Sequence, residues 1–432
     1  MQSTSSLASL SLLDMLAGIK AAEFTALDVI NACFDQIEQR EPEVQAWQVR
    51  LTREQYLQQY EANQAFYEAS LLQGLPLGVK DIIDTAEMPT EMGSAIHIGR
   101  QPVDDATCVA LLKQAGAIVL GKTVTTEFAY FKPGATRNPA DLTRTPGGSS
   151  SGSAAAVADN MVPMALGSQT AASVIRPAAY CGSVGYVGSR GEYSLRGGQP
   201  LAQSLDSLGL FSRDAADLLL LRSVLLRLPE NTETIAAVKP EKVLVCPGSW
   251  LGEVSEDMTA ALEKTADALQ QAGVSVALLD AELAAEIGTL VEHHATIMAW
   301  EVCRNLAVES FSPELLSPQM KDLIDKGLAM PRASYLNSLQ QVAVVGQKLA
   351  AQYPDVDAIL TPAAPAIAPL AETGTGSPHM SRAWQAMGLP TVTLTGINDL
   401  TGVPLGLQLV GKVRQDDAVL ANAAWVNQLT LG

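Results

Sequence analysis

The sequence predicts an α/β fold whose central sheet is mixed and largely parallel, with helices on both faces. Three observations point there. Residues 106–115 read as a helix and run directly into the short apolar strand Ala117–Lys122, so helix and strand alternate. Hydrophobic residues make up 47% of 432, enough to bury a large core. Strand-like segments then return at 357–361 and 391–395, after a long stretch, 280–352, that reads as mainly helical.

The elements can be justified in order. Thr25-Ala26-Leu27-Asp28 has the form of a capping box, and Leu27, Val29, Ile30, Cys33, Phe34 and Ile37 trace the apolar stripe of the helix it opens, with Pro42 marking the exit. Leu77-Gly78-Val79-Lys80-Asp81-Ile82-Ile83-Asp84 is an apolar run carrying one lysine where polar residues begin. The polar, proline-marked run 227–234 is the most credible boundary in the chain. Strand 242–246 and helix 256–272 follow it. Because strands return at the end, a single unit over 1–432 is expected: N-terminal helices at 1–70, a core at 73–226, a variable, mainly helical region at 227–355, and closing strands with a C-terminal helix at 356–432.

Composition narrows the function. With 28 basic against 46 acidic residues, the chain lacks the positive footprint that nucleic acid or an anionic membrane requires, so the expected partner is a small molecule. Cys33, Cys108, Cys181, Cys246 and Cys303 stand at long irregular spacings, which read as buried thiols in a reducing cytoplasm rather than as disulfides or a zinc site. His97, His293, His294 and His379 follow no metal-ligand spacing, and the pair His293-His294 reads as facing two directions on a helix. The glycine-rich loop matches no nucleotide-binding pattern, and neither a cofactor nor a metal is expected. No apolar segment spans a bilayer, and Met1–Ser6 lacks the basic start of a leader.

The chemistry concentrates in two small-residue loops. Gly147-Gly148-Ser149-Ser150-Ser151-Gly152-Ser153 runs into an apolar segment, and so does Gly167-Ser168-Gln169-Thr170-Ala171-Ala172-Ser173. Each presents a serine beside backbone N–H groups able to hold a tetrahedral oxyanion. A serine needs a base, and Lys80, flanked by Leu77, Val79, Ile82 and Ile83, can be one if burial lowers its pKa by roughly 2–3 units from ~10.4.

Together with Gly121-Lys122, Thr126-Glu127-Phe128-Ala129, Pro177–Gly182 and the closing segments Ile359–Pro362 and Gly402–Gly411, these motifs resemble the amidase signature family. The resemblance implies that family's α/β/α fold and a Ser–cis-Ser–Lys hydrolase. Lys80 matches the base, Ser149 the cis-serine shuttle, Ser173 the nucleophile, and the N–H groups of Thr170, Ala171, Ala172 and Ser173 the oxyanion hole. Met92, Gly93, Phe128, Gln169 and Arg176 match substrate-facing positions; Met92 and Phe128 can equally be core, and Arg176 can equally be a structural ion pair. Two departures stand out. Alanine occupies 171 and 172, where most relatives carry glycine at one or both positions, and Gln169 stands where many relatives carry aspartate, a variant resembling malonamidase-like members. The implied reaction is cleavage of a small amide through an acyl-enzyme. Carbamate or ester hydrolysis uses the same triad, an amidotransferase-type component or a silent member is a further alternative, and a homodimer is compatible with all of them.

Overall fold

The computed structural model describes residues 7–228 and 237–431; Met1–Ser6 and most of the boundary expected at 227–234 lie outside the described residues. The strands are β1 (Trp47–Arg50), β2 (Pro76–Lys80), β3 (Ile118–Thr123), β4 (Met164–Gln169), β5 (Val184–Val187), β6 (Ser207–Ser212), β7 (Lys242–Val245), β8 (Ser275–Leu278), β9 (Ala358–Pro362), β10 (Thr391–Leu394) and β11 (Leu407–Val410). They form one sheet in the order β1-β3-β2-β4-β6-β5-β10-β11-β9-β7-β8.

The sheet is mixed, as expected, but it is not largely parallel. Parallel pairing is confined to β2–β3, β2–β4, β7–β8 and β7–β9. The middle of the sheet, from β4 through β6, β5, β10 and β11 to β9, pairs antiparallel throughout. The helix–strand alternation visible at 106–123 belongs to a parallel part. Two of the central pairs, β5–β6 and β10–β11, are consecutive strands joined by loops without a crossover helix, and antiparallel pairing is what such connections permit.

Both faces are covered over β2–β7 and β9–β11, which explains why these strands read as continuous apolar runs, while the edge strands β1 and β8 are largely exposed. Val119, Met164 and Leu166 face a core shared with Cys108, Val109 and Leu112 of the helix Thr107–Gln114. Ile118, Leu120 and Ala165, one residue out of phase, face a second core built from Ile30, Phe34 and Ile37 of the helix Ala26–Val44 and the small residues of the helix Ser151–Ala158. The capping box at Thr25 and Asp28 is present. Pro42 does not end its helix, which runs two residues further and stops where Gln45 turns left-handed. Among the described residues no helix is long and apolar enough to cross a membrane.

Candidate active site

The site sits where two parallel strands end. β2 and β4 are parallel neighbours with Val79 paired to Leu166, so Lys80, the last residue of β2, lies beside the end of β4 and meets Ser168, at the strand ends where open α/β sheets place their ligands. After β4 the chain turns through 170–174 into the helix Ile175–Cys181. The other serine arrives in the turn Gly147–Ser150 that opens the helix Ser151–Ala158. That helix is made of small residues because it must press close. A Cβ at Gly152 would stand 2.2 Å from the Ala46 carbonyl oxygen and 2.4 Å from the Val124 nitrogen. The Gly148–Ser149 peptide bond is cis.

Lys80 is fully buried, and its Nζ lies 2.7 Å from Ser149 Oγ, 3.0 Å from Ser168 Oγ and 3.3 Å from the Ser168 carbonyl oxygen. Burial draws the Lys80 pKa down to about 7, against the opposing pull of Asp206. The segment after Lys80 is pinned by a second buried lysine. Lys122 Nζ donates to the Ile83 carbonyl (2.6 Å) and the Thr90 hydroxyl (2.5 Å), and lies 3.6 Å from Asp81.

Ser173 shares a cavity with Ser149, and its hydroxyl makes no hydrogen bond among the described residues. Nor do the N–H groups of Ala171, Ala172 and Ser173 meet an acceptor among the described residues. Neither alanine takes a left-handed φ, so the cost that alanine would incur at such a position does not arise. The loop is held at Thr170 from two sides. Its hydroxyl donates to Asp206 Oδ1 at 2.5 Å, and its carbonyl oxygen lies 2.7 Å from Nε2 of the fully buried His294, which must be the donor there. Burial lowers the His294 pKa to about 3, so the ring is neutral.

Ser149, Thr170, Ala171, Ala172, Ser173 and Arg176 line one cavity of about 20 Å³, room for about one water. Ala129, Thr170 and Leu201 also wall a neighbouring cavity of about 220 Å³ that reaches Ser168 and Asp206. A larger cavity, about 640 Å³, lies between Val342, Tyr353 and Val410 and touches none of the triad residues.

Several expected substrate-facing residues are placed elsewhere. Gln169 points into the protein: its Oε1 accepts the Val174 and Ile175 N–H groups, capping the helix that follows Ser173, and its Nε2 donates to Gln385 Oε1. Gln385 Nε2 in turn donates to the Gln169 and Leu205 carbonyls, so a neutral pair of amides fills the position where a carboxylate is the commoner expectation. Met92 and Phe128 are core residues, joined by the Phe128 N–H on the Met92 carbonyl, and both are left-handed. Gly93 backs onto Thr125 and Thr126, away from the triad cavity. The loop that contains Phe128 reaches the cavity through Ala129, Tyr130 and Phe131 instead. Arg176 lines the cavity, but its guanidinium is committed to the Gly376 and Gly148 carbonyls and the Thr375 hydroxyl. That commitment removes most of its capacity to take a substrate carboxylate.

Sequence reasoning misses Ser168, Asp206, His294, Arg382 and Gln385. Asp206 sits in a buried strand approach, Leu205-Asp206-Ser207-Leu208, where an acidic residue is out of pattern, and that is a usable signal. His294 lies on a helix and does face away from His293, which bonds Ser338 instead. Nothing local shows that it meets a loop 124 residues earlier.

Known proteins share both the motifs and the fold. The Amidase family model matches residues 28–420. A glutamyl-tRNA(Gln) amidotransferase subunit from Synechococcus sp. is 30% identical over 459 aligned residues, spanning 94% of this chain and 95% of that protein. A crystal structure of an amidase superposes with a TM-score of 0.86 at 26% identity, covering 97% of this chain and 99% of that one. The native peptide amidase from Stenotrophomonas maltophilia shares the fold with a TM-score of 0.80 at 23% identity, covering 99% and 98%. Motif, fold and family match agree, and the chain belongs to the amidase signature family.

Proposed function

We propose that the chain hydrolyses the C–N bond of small amides through an acyl-enzyme on Ser173. One observation carries the reading: a buried amine bonded to Ser149, its pKa drawn down to about 7 by burial, shares a site with a serine whose loop offers three N–H groups without an acceptor among the described residues. Lys80 takes the Ser149 proton as Ser149 takes that of Ser173, whose Oγ then bonds the amide carbonyl carbon. The oxyanion is received by the N–H groups at 171–173. The C–N bond breaks as Ser149 protonates the leaving amine. Water attacks the ester, its proton returns along the same path, and a carboxylic acid and an amine leave.

A second reading is favoured by the relatives: as a component of an amidotransferase, the chain would perform the same C–N cleavage and pass the released ammonia to a partner. Incubating the purified chain alone with small amides decides between them. Ammonia release with an acyl adduct on Ser173, both lost in Ser173→Ala, supports the hydrolase. No turnover on any amide without a partner would sink it.

A further inference from the structure

The cavity holding the two serines is lined by two guanidinium groups, Arg176 and Arg382, and, among the described residues, by no carboxylate. The chain as a whole carries a formal net charge of −18, so this concentration of positive charge runs against its composition. The two arginines differ in how they are used. Arg176 donates to two backbone carbonyls and the Thr375 hydroxyl, although its Nε too is buried without a partner among the described residues. Arg382, on the helix His379–Met387, is only part-exposed, yet it makes no hydrogen bond and no ion pair among the described residues, and its Nε is buried without a partner.

A shielded guanidinium left unpaired is costly, and native structures retain one where something else completes it. The groups that act on it do not. Tyr130 is a neutral phenol, Glu292 acts on it only across a distance beyond ion-pair reach, and Arg176, His294 and His379 are cationic or neutral bases. The missing partner is therefore an anion, and the planar fork of arginine suits a carboxylate in two-pronged contact.

We propose that Arg382 anchors a carboxylate of the substrate, so that the amides cleaved at this site are small acid amides. This rests on the hydrolase reading above and names its substrate class. Arg176, in the same arrangement, holds the Gly148 carbonyl beside Ser149 and positions the shuttle.

The test compares succinamate, with the acid on the acyl side, N-acetylglycine, with the acid on the amine side, and neutral butyramide, using wild type and Arg382→Gln. The expected result is a fall of about a hundredfold in kcat/KM for an acid amide, carried mainly by KM, with butyramide changed less than about threefold. Arg382→Lys, which keeps the charge and loses the fork, should fall between. Equal losses on acid and neutral amides, or a wild type that prefers butyramide, would overturn the proposal. Succinate binding to Ser173→Ala, measured by calorimetry, reads the anchor without turnover. Weakening of about tenfold or more in the Arg382→Gln, Ser173→Ala double variant supports it even if no amide is cleaved. Unchanged or undetectable binding refutes it.

Discussion

The Thr170 side chain donates to Asp206 at 2.5 Å, and through that contact a buried carboxylate holds the loop 170–173 that lines the cavity. Asp206 Oδ2 also accepts the Leu201 and Ala202 N–H groups, so the carboxylate is locked in turn. Its charge is the one that pulls the Lys80 pKa upward. Asp206→Asn should therefore do two things. kcat should fall by about 10²-fold as the loop loses its anchor, and the acid limb of the pH–rate profile should move to lower pH. A fall in kcat with an unmoved limb would confine Asp206 to a structural role.

The wild-type profile itself has a direction. In the proposed reaction Lys80 acts as a base only when neutral, and burial draws its pKa down to about 7. kcat/KM should rise with pH below that value, about tenfold per unit, and level off above it. Lys80→Met should abolish the limb together with most of the activity. A flat profile across the two units below that pKa in wild type would remove Lys80 from the role of base.

Arg176→Met should lower kcat alike for acid and neutral amides, because its guanidinium bonds the Gly148 and Gly376 carbonyls. A loss confined to acid amides would give the anchoring role to Arg176 instead of Arg382. Steady-state kinetics on both substrate types checks this.

Gln385→Leu should destabilise the fold and leave no substitute partner for Gln169. The Gln169 and Leu205 carbonyls and the Gln169 amide all lose their contacts in the interior. Each group left unpaired costs roughly 1–3 kcal/mol. Urea unfolding with an unchanged m-value is the measurement, and a midpoint within error of wild type would show that water replaces the amide.

Gly152→Ala should be at least as damaging, because the atoms in the way are backbone at 2.2 and 2.4 Å rather than a flexible side chain. Overpacking of this kind costs about 1–3 kcal/mol or more. A Tm equal to that of wild type would mean that the helix Ser151–Ala158 can back away from β3.

The positions of Lys80, Ser149 and Ser173 are legible because each lies in a short local motif at the end of an element, and such ends are marked by composition. The helix boundaries are legible for the same reason, as at Thr25 and Asp28. Assembly across long separations is not. Antiparallel pairing at the centre of the sheet leaves no local trace when strands are buried on both faces. The inward turn of Gln169 depends on Gln385, 216 residues away. Met92 and Phe128 lie in matched loops, but left-handed backbone at both turns their side chains into the core, and side-chain direction is invisible to motif matching.

The clamp on Thr170 also bears on when activity appears during folding. Lys80, Ser149 and Ser173 are all present within the first half of the chain, but the loop they serve is braced by His294, and its strand is backed by Gln385. A nascent or truncated chain ending before these residues would own every residue of the proposed triad and still present an unbraced loop. Contacts of such sequence separation form late. Regain of hydrolytic activity should therefore trail the regain of helical signal in a refolding experiment, making turnover a reporter of the last long-range contacts rather than of the first.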